Sequence, residues 1–416
     1  MTENIYPIEL LMERQSGVKH ANDSILHGIN KGYNAFALTV AARQKTYPNI
    51  CAPLAGILDF YRREKECTFQ VHFVEEHGLI PYVKHTKFFD PQIAEAHLDS
   101  VELLYPFDKV WKYSTSKGVS ALVTAFIASI RETAEVAPGV LSGVEWCINE
   151  TLDNVLQHAN AECGYIMGQI HKENNLLSIC VFDTGQGIYQ SLRRSKHRPH
   201  EPLDAITIAL QERVTRDENI GQGNGMWGLT QIIAENRGQI SVSSAGALYR
   251  RIDDKISTVR EGNVHLGRGN GTAMVDFQLN YSTSIDIPSA LGGYKPVDLW
   301  LENLENREGN YEIKVAAISH GTGTRQAAYK LKNIVLNIVK ETRNKVILDF
   351  EGVNLISSSY SDELIGKLIA QYGFVFFTNN IAIKNISTTN EPIVNRSIGQ
   401  RMAQTFYSLI VDENDD

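Results

Sequence analysis

Cysteine is sparse and spread out. The chain has 416 residues and five cysteines, at 51, 67, 147, 163 and 180, with no C-x-x-C pair. This excludes a disulfide framework and a sequence-evident zinc ribbon, and suits reduced thiols. A basic excess is lacking too. The formal net charge is −8, which argues against a general nucleic-acid footprint. Long apolar runs are missing. The longest, near Ala121 to Ile130, is about half of the ~20 residues a membrane helix needs. The start, MTENIYPIELLMERQ, has neither the basic lead nor the apolar core of a signal peptide. These absences together predict a cytoplasmic protein with no membrane partner. His72, His77 and His85 are too scattered to suggest a metal site.

The composition, 43% hydrophobic and 21% charged, is that of a globular protein able to bury sizeable cores. The length points to two or three domains. The segment VEWCINETLDNVLQHAN reads as a helix on which Glu150 and Asn154, four residues apart, share a face. An amide oxygen there can ligate a divalent cation while the carboxylate orients a nucleophile. Mg²⁺ prefers few protein oxygens, several waters and substrate phosphates, so one such ligand suffices. Asp153, Gln157 and His158 flank the pair. The strand SICVFD then ends at Asp183, an acceptor-only side chain suited to an exocyclic amine. Gly185 and Gly187 follow, where a backbone without Cβ can approach a flat ring. Further on, NIGQGNGMWGLTQIIAENRG places Gly221, Gly223 and Gly225 before a helix, where free N–H groups suit phosphate. In GNGTAMVDFQL, Thr272 opens a further strand.

These four pieces, in this order, resemble the Bergerat-fold ATPases, the GHKL superfamily of gyrase, Hsp90, histidine kinases and MutL, over roughly residues 115–280. The resemblance implies an α/β sandwich that binds ATP and Mg²⁺. Glu150 is then the base, Asn154 the Mg²⁺ ligand and Asp183 the partner of the adenine amine. Gly185, Gly187 and Thr272 line the purine end, and Gly221, Gly223 and Gly225 face the phosphates. Residues 189–220 become a lid, in which Arg193, Arg194, Lys196 and Arg198 could close on phosphates, contact an acidic partner or be solvated. No histidine lies between His97 and His158, so the His-Glu dimerisation helix of a histidine kinase is not in evidence.

Around this core we expect a domain order of 1–100 as an N-terminal α/β unit, 101–285 as the ATP-binding domain, 286–300 as linker, 301–410 as a second α/β domain and 411–416 as an acidic tail. In the first unit, GYNAFALTVAA and CTFQVHFVEE read as strands flanking a helix that starts near Pro48. Their order weakly resembles half of a STAS fold, the sulfate-transporter and anti-sigma-antagonist domain. Ser116 is the expected N-cap of the helix running to Val136, and Gly238 the C-cap of the helix after the glycine loop. From Tyr311 strands and helices alternate, with FVFFT and IAIKNIS as late strands.

The piece VILDFEGVNLISSSYSDELIGKL resembles a STAS-like domain. In anti-sigma-factor antagonists a phosphorylatable serine sits at the position of Ser359. Here Ser357 and Tyr360 replace the family's aspartate and glycine around it, which leaves open a second reading in which Ser357–Ser359 only cap the following helix. Three functions fit: a regulatory Mg-ATPase coupled to the STAS-like domain, a serine/threonine protein kinase of the anti-sigma-factor type, or a non-catalytic ATP-gated switch. Each implies a protein partner, or self-association, through the STAS-like domain.

Overall fold

The computed structural model describes residues 5–12, 15–42, 45–75, 78–212, 225–260, 271–294 and 297–412. The chain divides into two compact units. One comprises residues 1–129, 143–281 and 285–294, the other residues 130–142, 282–284 and 295–416.

The first unit opens with β1 (Ile5–Leu11), α1 (Gln15–Asn30), β2 (Ala35–Ala41), α2 (Pro48–Lys65), β3 (Thr68–Phe73) and α3 (Ile80–His85). The strands form a parallel sheet in the order β1-β2-β3. Next come β4 (Gln92–Ile93), β5 (Trp111–Tyr113), α4 (Ser116–Thr133) and α5 (Val140–His158), of which residues 130–133 and 140–142 fall in the second unit, then β6 (Gly164–His171) and β7 (Leu176–Asp183). The unit is completed by α6 (Gly187–Arg193), α7 (Pro202–Ala209), α8 (Gly225–Glu235), β8 (Gln239–Ser244), β9 (Ala247–Ile252), β10 (Lys255–Val259), β11 (Ala273–Asn280) and α9 (Ile287–Ala290). Strands β4 to β11 make one eight-stranded sheet, ordered β10-β9-β8-β11-β7-β6-β5-β4, antiparallel except for the β4–β5 pair.

Both faces of that sheet are covered, so its central strands are apolar nearly throughout. Tyr165, Met167, Cys180 and Phe182 pack on one face against Leu54, Ile57 and Leu58 of α2, in a core that also takes in Leu10, Leu38 and Val40 of the small sheet. The N-terminal layer and the large sheet therefore share one core through α2. On the other face Ile166, Ile179, Val181 and Phe277 are equally buried. There α4 comes so close that a Cβ on Gly168 would lie 2.7 Å from the Phe126 ring.

The second unit adds α10 (Leu299–Glu302), β12 (Tyr311–Lys314), α11 (Val315–Ile318), α12 (Arg325–Thr342) and β13 (Val346–Asp349). They are followed by α13 (Ser358–Ser361), α14 (Lys367–Tyr372), α15 (Phe374–Asn380), β14 (Ile381–Lys384) and α16 (Glu391–Asp412). Its three strands are parallel, ordered β12-β13-β14. Leu331, Val335 and Ile338 of α12 lie in its core with Leu348, Phe350, Leu364 and Leu368. A π-helical turn, Asp362–Gly366, joins α13 to α14.

The α/β class and the alternation after Tyr311 are as expected, and several local readings are corrected. FVFFT is helical, not a strand: Gly373 at φ +87° turns the chain, and Phe377 alone of that run is buried, while Phe374 and Val375 stay exposed. One apolar contact face suits a helix, and the Phe376 ring stacks on Tyr372 at 4.9 Å. Thr115, not Ser116, caps α4, because its Oγ1 accepts from Gly118 N at 3.2 Å. At the end of α8 the left-handed residue is Arg237, φ 57°. Gly238 is required for another reason: a Cβ there would strike the Gln278 carbonyl. The strand β1, the helix α1 and the edge strand β10 have no counterpart in the sequence reading. All five residues of β10 are exposed, which is why no alternating pattern marks it.

Gly56 in α2 tests the shared core. A Cβ there would sit 2.6 Å from Phe182 Cδ1 and 3.0 Å from Tyr165 Cδ2. Alanine improves helix propensity by about 1 kcal/mol, whereas overpacking costs about 1–3 kcal/mol. Gly56→Ala should therefore lower the urea midpoint at unchanged slope; a higher midpoint would show that α2 has room to move off the sheet.

Candidate functional site

The sheet register builds one end of the site. Asp183 closes β7 opposite Ala273 of β11 and Gly164 of β6, and Ala273 is also opposite Ser244 of β8. Thr272, just before β11, is 2% exposed, and its neighbour Ala273 is the residue opposite Asp183. Phe182 and Cys180 face α2, so by alternation Asp183 faces the opposite side. Its carboxylate is buried, and Oδ1 accepts from Gly185 N at 2.8 Å. Burial pushes the carboxyl up to about 7, and the Gly185 bond offsets only part of this.

The turn after Asp183 is pinned to the C-terminal end of α5. Gln186 N donates to Ala159 O at 2.7 Å and Gln186 Nε2 to His158 O at 2.6 Å. The glycines are needed for contacts with the protein itself. A Cβ on Gly185 would collide with the Ala159 carbonyl. Gly187 has φ +70°, and a Cβ on it would lie 2.7 Å from Ser244 Oγ and 3.1 Å from Thr272 O. Ser244 Oγ also accepts from Ile188 N at 2.9 Å. Gly271 lies against Gln186 and Gly187. The Asp183 turn, the start of β11 and the end of β8 thus form a single knot.

The other end lies further up α5. Glu150 and Asn154 share a face, about 6 Å apart along the axis, and Asn154 and His158 are separated by a similar rise. A Cβ on Gly225, the first residue of α8, would overlap Glu150 Oε2. The carboxylate therefore abuts the helix N-terminus that follows the glycine loop. Gly221 and Gly223 lie outside the described residues. Burial first and the Asp153 charge second raise Glu150 above the ordinary carboxylate range. Asn154 Nδ2 is buried and, among the described residues, has no hydrogen-bond partner. Its amide orientation is set by hydrogen-bond fit, and a turn of the group would present Oδ1 instead. A buried amide held this way fits a ligand to an ion whose other ligands are phosphate and water. Among the described residues no three His, Cys, Asp or Glu side chains converge, so no multi-carboxylate cage competes for that role.

The structure thus joins Asp183, Gly185, Gly187 and Thr272 at one end of α5 and Glu150 with Gly225 at its middle, and Asn154 lies between the two. Tyr113 was not foreseen. It is fully buried, and burial first, then the charges of Asp183 and Asp153, raise its hydroxyl well above the ordinary value. Its hydroxyl donates to Leu152 O of α5 at 3.4 Å, and a Cβ on Gly164 would lie 2.5 Å from it. A lone Tyr in WKY carries no signal of this in sequence. Ser244 and Gln186 were likewise unmarked.

In the second unit, Ser357 Oγ accepts from Tyr360 N at 3.0 Å and so caps α13. Ser359, in the first turn, is half-buried, with its Oγ 2.9 Å from Ser357 Oγ, and Ser358 is exposed.

Residues 327–391 match the model of a STAS-like domain of unknown function, DUF4325. No curated protein matches the chain. Among solved structures, the chain is similar to the 43K ATPase domain of gyrase B from Thermus thermophilus, crystallised in complex with an aminocoumarin, at 16% identity and a TM-score of 0.20. That match covers 42% of this chain and 43% of the other, less than half of each. Among the described residues no helix is long and apolar enough to cross a membrane.

Asp183 makes a testable contribution to stability. Its folded pKa, about 7, lies above the ordinary 3.8. Between these values the folded chain keeps a proton that the unfolded chain has released, so stability falls as pH rises through the window and is level above it. Asp183→Asn removes this term. Relative to wild type, the variant should gain stability from pH 4 to pH 8, by at most about 4 kcal/mol, in denaturant titrations at both pH values. A difference independent of pH would mean that the carboxylate is solvated or ionised in the fold.

Proposed function

We propose that the first unit binds Mg-ATP in the manner of the GHKL ATPases and that the chain is a regulatory ATPase whose nucleotide state is coupled to its STAS-like domain. The observation that carries this reading is the meeting of Glu150 with the first residue of α8 on the same helix whose end holds the Asp183 turn. A carboxylate beside a helix N-terminus repels a phosphate set directly against it, so in this reading a water or hydroxyl lies between the two and Glu150 activates it. That is the place of a base beside a phosphate cradle.

In this reading Asp183 accepts from the adenine amine, and its burial makes a mismatched ring costly. Tyr113 excludes water from the same floor. Asn154 would hold Mg²⁺ together with the phosphate oxygens, and the ion would supply charge neutralisation during transfer. Glu150 orients the attacking water, and the burial that raises its proton affinity favours it as the acceptor of that water's proton. The gyrase ATPase domain carries no weight here, because its likeness is too slight; the support is the geometry of this chain.

Incubation with γ-labelled ATP and Mg²⁺ separates the possibilities. An ATPase releases labelled phosphate, a protein kinase labels protein, and a gated binder does neither while still titrating with Mg-ATP. Glu150→Gln should cut turnover at least ~100-fold and leave binding within about threefold. Asp183→Asn should weaken binding by about 1–3 kcal/mol. Turnover that survives Glu150→Gln removes this residue as base, and a flat titration of the wild type ends the nucleotide reading. If protein is labelled, Ser359→Ala decides whether that serine is the acceptor.

A further inference from the structure

The second unit includes residues 130–142, the connection between α4 and α5. Its helix α12 closes both open helix ends there. A helix leaves its last carbonyls without intrahelical donors. At the end of α4 those donors come from α12: Asn337 Nδ2 donates to Arg131 O at 3.0 Å and Ala134 O at 2.9 Å, and Asn333 Nδ2 to Glu132 O at 2.9 Å. Tyr329 Oη donates to Thr133 O at 3.4 Å. Asn337 Oδ1 in turn accepts from Val136 N at 2.9 Å.

At the start of α5, Glu341 Oε2 accepts from Gly139 N at 2.8 Å. An anionic group at a helix N-terminus is favoured by the macrodipole. Asn333 and Asn337 are 2% and 3% exposed, so neither is a solvent-facing residue of an amphipathic helix. Ion pairs Lys330–Glu132 at 2.8 Å and Lys340–Glu135 at 2.5 Å flank them, and Tyr372 donates to Glu135. Arg131 pairs with Asp298 at 2.9 Å and stacks on Trp300 at 3.9 Å.

We propose that α12 is a clamp through which the STAS-like unit controls the first turn of α5, and through it the helix bearing Glu150 and Asn154. Glu150 lies ten residues, about 15 Å of rigid helix, beyond Val140. A partner or modification that moves α12 thereby changes nucleotide affinity, and nucleotide changes the clamp by the same factor. This deepens the Mg-ATP reading and rests on it only for the nucleotide arm of the test.

The full-length chain is compared with Asn337→Leu and with Lys330→Gln/Lys340→Gln by hydrogen exchange and by Mg-ATP calorimetry. Without nucleotide, Asn337→Leu should speed amide exchange about tenfold over residues 135–147. It should weaken Mg-ATP binding about tenfold, and Mg-ATP should slow exchange in α12 of the wild type but not of the variant. The double Lys variant should change the same amides in the same direction by about threefold. A folded Asn337→Leu chain with unchanged exchange over residues 140–147 overturns the clamp. If Asn337→Leu does not fold, the double Lys variant decides alone, and unchanged exchange there overturns it. A wild type that binds no Mg-ATP defeats the nucleotide reading, and the exchange arm still decides the clamp.

Discussion

A carboxylate buried at the end of a central strand, with a backbone N–H for support, is costly, and the first unit is arranged around tolerating it. Asp183 loses its hydration and gains the Gly185 bond. The cost persists because everything near it is fixed. The turn that follows is tied to the end of α5 through Gln186, and the strands on both sides are held in antiparallel register. Gly164, Gly185 and Gly187 are each held against neighbours that leave no space for a side chain. Polar groups kept dry by packing in this way are organised before any ligand arrives.

Much of this was legible in the sequence, for identifiable reasons. Glu150 and Asn154 could be paired because helical spacing converts directly into a shared face. Asp183 could be placed at a strand end because the apolar run SICVF stops at it and a glycine turn follows. The cross-strand partners were not legible in local pattern. The resemblance alone put Thr272 at the Asp183 end, which in the fold depends on a register set 90 residues apart in the chain, and Tyr113 enters through a three-residue strand without pattern. The reason for the glycines was only half visible: the crowding at Gly185 and Gly187 comes from the protein backbone and Ser244, and a sequence cannot display that.

The STAS-like unit shows where periodicity misleads. Leu331, Val335 and Ile338 of α12 form the apolar stripe that a helical period predicts, yet Asn333 and Asn337 on the same helix are as buried as Leu331. Buried amides are tolerated only where both their donors and acceptors are used, and Asn337 uses both. In FVFFT local β-propensity lost to Gly373 and to the single apolar face the fold requires there. The serines before α13 illustrate the opposite outcome, since Ser357 caps the helix as its position suggests.

The capping of α4 from α12 also has a temporal side. Tyr329 is 196 residues downstream of Thr133, the carbonyl it serves. On a ribosome the helix pair leaves the tunnel long before its caps are translated, and water alone satisfies those carbonyls meanwhile. The last turn of α4 and the first of α5 consequently reach their final order only late in synthesis, so a nascent chain acquires its finished α4–α5 connection as one of its closing events.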